Sequence, residues 1–537
     1  MITAFLKEHV RLVGPLAQAA ALTQWNAAVS GDPADYEAQR QAQLALETLY
    51  SDPEVFARGR ALRAPAAAAP LRLRRQLDLV VLAHLEKQVA PALLARIIEL
   101  QNEIDRRFST FRGTAGERTL GENDLRQILR TSADSRELRQ AWEAGKQVGA
   151  VVQPLLLEVV KLRNEQAQQL GYGDFFSLQM AVQEFDEAGL LQRFDVLDAL
   201  TGDAFTTAKA GADARLAARY AIDPTALQPW HYHNPFFQEC PEVFAADLAA
   251  IYAGVDVLDV ARRYFASVGF DVSEILARSD LFERPGKNPH AFCTHIDRQG
   301  DVRVFANVRS DEYWMGTLLH ELGHAVYDQG LPAELPYVLR MPAHTLTTEA
   351  VAMLFGRLSK SAPWMHEWAG LPAARVAGIE AECRQMLQFE QLVFSRWAQV
   401  MVRFERALYR DPDQDLDTLW WDLTERYQGL RRPEGRQAPD WAAKYHLAMV
   451  PVYYHNYALG EWMASQLHET IVRDVLHADD AEKITYSGSA AVGAYLRQRV
   501  FAPGAELEWD ELVAFATGRP LGPEAFAAQF VTPPRDS

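Results

Sequence analysis

His320, Glu321 and His324 stand in the order His-Glu-x-x-His within "GTLLHELGHAVYDQGL", Gly316 to Leu331. On a helix, residues at i and i+4 lie one turn apart on one face, so both imidazoles can reach a single ion. Two imidazoles on the apolar side of a helix cost desolvation, which a bound metal offsets. Zinc suits such a set, because it takes nitrogen and oxygen ligands tetrahedrally and three protein ligands leave a fourth position for water. Glu321, between the histidines, is placed to take that water's proton.

The third ligand must come from another segment. A continuation with glycine and a third histidine at fixed offsets fails at Tyr327, which holds the glycine's place. Downstream, "HTLTTEAVAMLFGRL" (His344 to Leu358) reads as a second helix, with Thr347 and Thr348 at its start and Glu349 in its first turn. A short loop would set it beside the first helix, which makes Glu349 the expected ligand ahead of Glu334 and Asp328. His231 and His233 in "WHYHNPFFQEC" form a second pair at strand spacing. Nothing nearby completes a metal site, so they read as structural or cleft-lining.

The elements that position these residues are mostly helical. Ala, Leu, Arg, Gln and Glu dominate, and apolar residues recur at three and four, as in "YEAQRQAQLALETLY". The fold class is therefore mainly α. "HAFCTHIDRQGDVRVFANV" (His290 to Val308) is the best strand signal, two β-leaning runs around a turn at Asp297 to Gly300. A hairpin thus leads into the motif helix, for which Ser310 is the expected cap and Gly330 the stop. "APAAAAPLRLRRQ" (Ala64 to Gln76) is the clearest irregular connector, placed between two helices.

With 537 residues, 49% hydrophobic and 23% charged, the chain is an enzyme-sized globule of at least two lobes, or one helical body divided by a cleft. Its net charge of -17 argues against nucleic acid or an anionic membrane as a partner. Three widely spaced cysteines, Cys240, Cys293 and Cys383, do not suggest a disulfide framework. The first residues carry Lys7, Glu8, His9 and Arg11 where a signal peptide would be apolar, and no run is long enough to span a membrane. A cytoplasmic location is expected.

In order, "NPHAFCTHID", "HELGHAVYDQG", "TTEAVAMLFGRL", "LWWDLTERYQGLRRPEG" and "AAKYHLAMVPVYYHNYALG" resemble the angiotensin-converting enzyme family of zinc dipeptidyl carboxypeptidases. "LTQWNAAVSGDP" extends the likeness from about residue 20 to beyond residue 460. "YYHNYALGE" is similar to oligoendopeptidase F and thimet oligopeptidase, and "HELGHAVYDQGL" to the Taq carboxypeptidase family. The resemblance implies a large helical ellipsoid of two lobes divided by a deep substrate channel, with a small hairpin beside the HExxH helix. It implies a single zinc-peptidase unit over 1–537, with lid-like helices over about 1–65, the hairpin and zinc-site helices over about 285–360, and a C-terminal helical lobe over about 380–537.

The same resemblance implies that one zinc ion per chain is held by His320, His324 and Glu349, while Glu321 activates water and then protonates the leaving amine. His290 and Ala291 would lie on an edge strand against which a short peptide is laid. Lys444 would bind the peptide's C-terminal carboxylate and His446 a peptide carbonyl. Tyr454 would join the carboxylate and Tyr457 the tetrahedral oxyanion. One extra residue between Lys444 and Tyr457 leaves Tyr453 or His455 as alternatives for the tyrosine roles. Asn456 replaces the arginine that serves chloride in animal members, and Met353 an aspartate one turn after the glutamate ligand. The expected activity is release of C-terminal dipeptides. An oligoendopeptidase or single-residue carboxypeptidase is the alternative on the same fold, and a catalytically silent peptide-binding protein the alternative of another class.

Overall fold

The computed structural model describes residues 1–288 and 290–531. It is mainly helical, as the periodicity requires. Among the described residues the only strands form two antiparallel pairs, Gly113–Ala115 with Arg118–Leu120 and Phe292–His295 with Val302–Phe305. No helix among them is long and apolar enough to cross a membrane. The chain divides into two compact units. The first holds Met1–Gln88, Ala246–Arg384 and Leu459–Phe526, and the second Val89–Ala245, Gln385–Ala458 and Ala527–Ser537.

In the first unit, the helix Ile2–Ser30 buries Phe5 and Leu6 against Leu77, Val80 and Val81 of the helix Leu71–Leu85. The alanine-proline connector shrinks to the four residues between that helix and Pro53–Ala66. Farther along the first helix, Trp25 meets Phe292 and Phe305 edge-on at 6.1 and 5.9 Å. These contacts fix the expected hairpin, whose register pairs Phe292 with Phe305 and Cys293 with Val304.

The motif helix runs from Glu312 to Gln329 and is capped by Asp311, whose side chain accepts from the Trp314 N–H. Ser310, the expected cap, instead donates its hydroxyl to the Val255 carbonyl. The next helix, Thr345–Gly356, opens on His344, whose ring accepts from the Leu346 N–H. Glu349 is therefore its fifth residue, in the second turn rather than the first. Gly323 lets the two helices touch: a Cβ there would lie 2.6 Å from the Ala352 Cα.

The second unit packs Trp142, Trp397 and Trp441, all fully buried, among helices that include Ser135–Gln169 and Leu416–Gln428. His231 and His233 are buried here with both ring nitrogens engaged. Ser135 Oγ lies 2.7 Å from His231 Nε2 and the Gln228 N–H donates to its Nδ1; Tyr220 and the Glu242 N–H serve His233 alike. All four ring nitrogens are thus committed to hydrogen bonds within this unit.

Candidate metal centre and carboxylate site

His320 and His324 present their Nε2 atoms 3.2 Å apart on one face of the motif helix. From the adjoining helix, Glu349 brings Oε2 to 3.6 Å from the first and 3.9 Å from the second. Ligands at about 2.0–2.2 Å from one tetrahedral zinc are about 3.4 Å apart, so the three separations fit one ion. Burial holds His320 near a pKa of about 4 and lowers that of His324, which keeps both rings neutral, as metal ligands must be. His320, His324 and Glu349 are the one such cluster among the described residues. Glu334 is exposed and Asp328 half-buried, and neither joins it.

His324 has a partner that sequence reasoning did not assign. Its Nδ1 lies 2.7 Å from the Thr348 hydroxyl, which fixes the ring so that Nε2 faces His320 and Glu349. Met353, in place of the family's aspartate, supplies no such group. Two glycines permit the close assembly besides Gly323: a Cβ at Gly356 would approach His320 Cβ to 3.3 Å, and one at Gly460 would approach Glu349 Cβ to 2.9 Å.

Glu321 is buried beside the cluster, and burial together with the Glu349 carboxylate raises its pKa to about 8, an effect the nearby Cys293 N–H partly offsets. That N–H is free to point there. The Ile296 N–H bonds the Asp301 carbonyl, so the alternation of an antiparallel pair turns the backbone groups of Cys293 away from the neighbouring strand. The edge strand starts at Phe292, just after His290 and Ala291, which the resemblance had set on it. The N–H of His290 closes a turn on the Asn288 side chain instead.

The second unit gathers the other expected residues. Lys444 is buried and donates to Gln238 Oε1 at 2.6 Å, with Tyr454 and Trp397 rings 5.3 and 5.2 Å from its ammonium. Burial lowers its pKa to about 7. The His446 ring lies 5.1 Å from Tyr454, and its Nδ1 is buried with no hydrogen bond to any described residue. Tyr457 packs on Tyr454 and Tyr453, centroids at 5.5 and 5.0 Å, and both Tyr453 and Tyr457 stay half-exposed while Tyr454 is buried. His455, the other alternative for a tyrosine role, turns into the core against Gln183 and Phe185. The helix Tyr454–Thr470, which carries Tyr454, His455 and Tyr457, starts after Val452, a β-branched residue in the left-handed region (φ 53°), held there by Glu405 on its N–H and Gln183 on its carbonyl. Gln238 escaped the sequence reading because it lies 206 residues from Lys444, although it falls within the stretch that drew notice for His231 and His233.

A mainly helical chain with two histidines on an HExxH helix and a glutamate on the next belongs to the HExxH metalloproteins. More narrowly, it belongs to the angiotensin-converting enzyme peptidase family, whose model matches residues 2–198 and 232–530. An angiotensin-converting enzyme-like protein of Mus musculus is 24% identical over 457 residues, covering 76% of this chain and 59% of that one. The angiotensin-converting enzymes of Rattus norvegicus and Sus scrofa are 22% and 24% identical, each match covering 74% of this chain and 32% of theirs. The chain thus spans a third to three-fifths of the length of these relatives.

Proposed function

We propose that the protein is a zinc metallopeptidase that shortens small peptides by releasing dipeptides from the C terminus. The convergence of His320, His324 and Glu349, with Glu321 on the same helix, carries this reading. Zinc, when bound, polarises the scissile carbonyl and lowers the pKa of water. Glu321 takes the proton of the attacking water and returns it to the leaving amine. Tyr457 donates its phenol to the developing oxyanion, with Tyr453 as its packed neighbour.

Lys444, joined by Gln238 and Tyr454, holds the terminal carboxylate, and the unengaged Nδ1 of His446 serves a peptide carbonyl. The outward backbone groups of Cys293, with His290 and Ala291 preceding it, carry the peptide backbone by strand addition.

The test is a free decapeptide and its C-terminal amide, followed by mass spectrometry. The free peptide should lose dipeptides in succession, and amidation should lower kcat/KM by about ten-fold or more, since truncating one partner of a buried charge pair costs about 2–5 kcal/mol. Equal cleavage of both at internal bonds would replace this reading with the oligoendopeptidase alternative.

A further inference from the structure

Two lysines of the second unit lie over one phenyl ring. Lys146 Nζ sits 3.2 Å from the Phe236 ring centroid, and Lys444 Nζ 5.4 Å from the same centroid. Lys146 projects from the helix Ser135–Gln169 and is 4% exposed, yet its ammonium makes no hydrogen bond or ion pair to any described residue. Its remaining close neighbour is the Trp142 ring at 5.3 Å. Asp440 is the carboxylate that acts on it, and that group is already gripped by Arg436 through two bonds of 2.5 and 2.7 Å. Lys444 has only the neutral Gln238 amide. Asp440 is thus the one carboxylate acting on Lys146, against Arg436 and Lys444, while Glu239 and Glu122 act on Lys444 with Arg126 opposing them.

Burying unmatched charge is costly, and aromatic faces offset only about 2 kcal/mol of it. As a plain core residue, Lys146 would be a neutral amine resting on Phe236, and burial does push its proton affinity well below that of an ordinary lysine, with Arg436 and Lys444 adding to the effect. A core role alone leaves unexplained why two amines share one ring in a site that otherwise recognises a carboxylate. A single carboxylate already has Lys444 and Gln238. An amine on the same ring is provision for a second anion close to the first.

We propose that Lys146 makes this a site for peptides ending in an acidic residue, with Lys444 and Gln238 on the α-carboxylate and Lys146 on the side-chain carboxylate of a terminal Asp or Glu. This rests on the reading of Lys444 as the carboxylate-binding residue. Aspartate and glutamate place their two carboxyl carbons three or four bonds apart on one residue, so both can be met by two ammoniums that share one phenyl ring.

Product dipeptides test it without any turnover. Calorimetric titration of the zinc-loaded full-length protein with Leu-Glu and Leu-Gln should show Leu-Glu binding at least ten-fold more tightly. Lys146→Met should bring that ratio close to one, and Lys146→Arg, which keeps the charge, should preserve most of it. Equal affinities in the unaltered protein overturn the proposal, as does a preference that survives in Lys146→Met. Leu-Gln and its C-terminal amide binding equally would show that the α-carboxylate is not read, which removes the Lys444 reading and this inference with it. If both dipeptides bind better than their amides but equally to each other, the carboxylate site stands and only the role of Lys146 falls.

Discussion

Gly323, in the middle of the HELGH motif, decides whether Glu349 reaches His320 and His324. In Gly323→Ala the new methyl would lie 2.6 Å from the Ala352 Cα and 3.0 Å from both the Ala352 nitrogen and the Val351 carbonyl oxygen. Nonbonded carbons rest at about 3.5–4.0 Å, so the helices must part by about 1 Å, and backbone atoms cannot swing aside as a side chain could. Glu349 sits three residues before Ala352, within one turn of the collision, and moves with it. Its Oε2 would then be well beyond the 3.6 and 3.9 Å it now keeps from the two imidazole nitrogens. A carboxylate so displaced cannot share a tetrahedral ion whose ligands are about 3.4 Å apart. We expect the zinc Kd to rise about 10²- to 10³-fold, or roughly 3–4 kcal/mol, with a further loss of about 1–3 kcal/mol in fold stability from overpacking. Competition with a chromophoric chelator reads the first quantity, and denaturant unfolding of the metal-free protein the second. A zinc Kd within three-fold of the unaltered protein would show that the helix contact does not set the ligand geometry.

Glu321→Gln should keep zinc affinity within a few-fold and lower kcat by about 10²-fold or more, since the amide cannot take a proton; retained turnover would move the base elsewhere. Thr348→Val should weaken zinc binding by about 10- to 100-fold while Thr348→Ser keeps it, and equal affinity in all three proteins would deny the hydroxyl a positioning role. The Lys444 ammonium, its pKa lowered to about 7 by burial, loses its charge as pH rises through that value. For peptides with a free carboxylate, kcat/KM should therefore fall above pH 7 relative to their amides, by up to about ten-fold per unit. A bound carboxylate favours the charged lysine, so the corresponding limb of kcat should lie at higher pH. A ratio of free to amidated kcat/KM that stays flat from pH 6 to pH 9 would contradict this.

What the sequence disclosed follows from how far each feature depends on contacts across the chain. His320, Glu321 and His324 were legible because their relation is set by one helix, and Glu349 because its helix is the next one, although the connection, residues 330–344, is longer than the short loop expected. The hairpin was legible from alternation and a turn. Ser310 and Asp311 are both competent caps, and only the Val255 carbonyl, which takes the Ser310 hydroxyl, decides between them. The starting point of the edge strand likewise depends on the turn that Asn288 makes with the His290 N–H. Gln238 depends on a loop meeting Lys444 from far along the chain, which no local pattern encodes.

Thr348 shows the limit most clearly, because the sequence exposed a gap without showing what fills it. Met353 removes the carboxylate that the family pattern offers near the glutamate ligand, and in this fold its sulfur lies instead near Gly460, 3.2 Å from where a Cβ there would stand. Which of Thr347 and Thr348 could reach His324 depends on the rotation of one helix against the other. The Gly323–Ala352 contact fixes that rotation, so that Thr348 meets His324 Nδ1 while Thr347 caps back to the His344 carbonyl. The substitute is chemically different as well as differently placed. A hydroxyl orients the imidazole as a carboxylate would but adds no negative charge, so among the described residues Glu349 is the anionic member of the cluster, with Glu321 buried beside it. A metal bound there is less neutralised than one backed by an aspartate. It should be held less tightly and act more strongly on the oxygen of a substrate, and Thr348→Asp should shift both in the opposite direction.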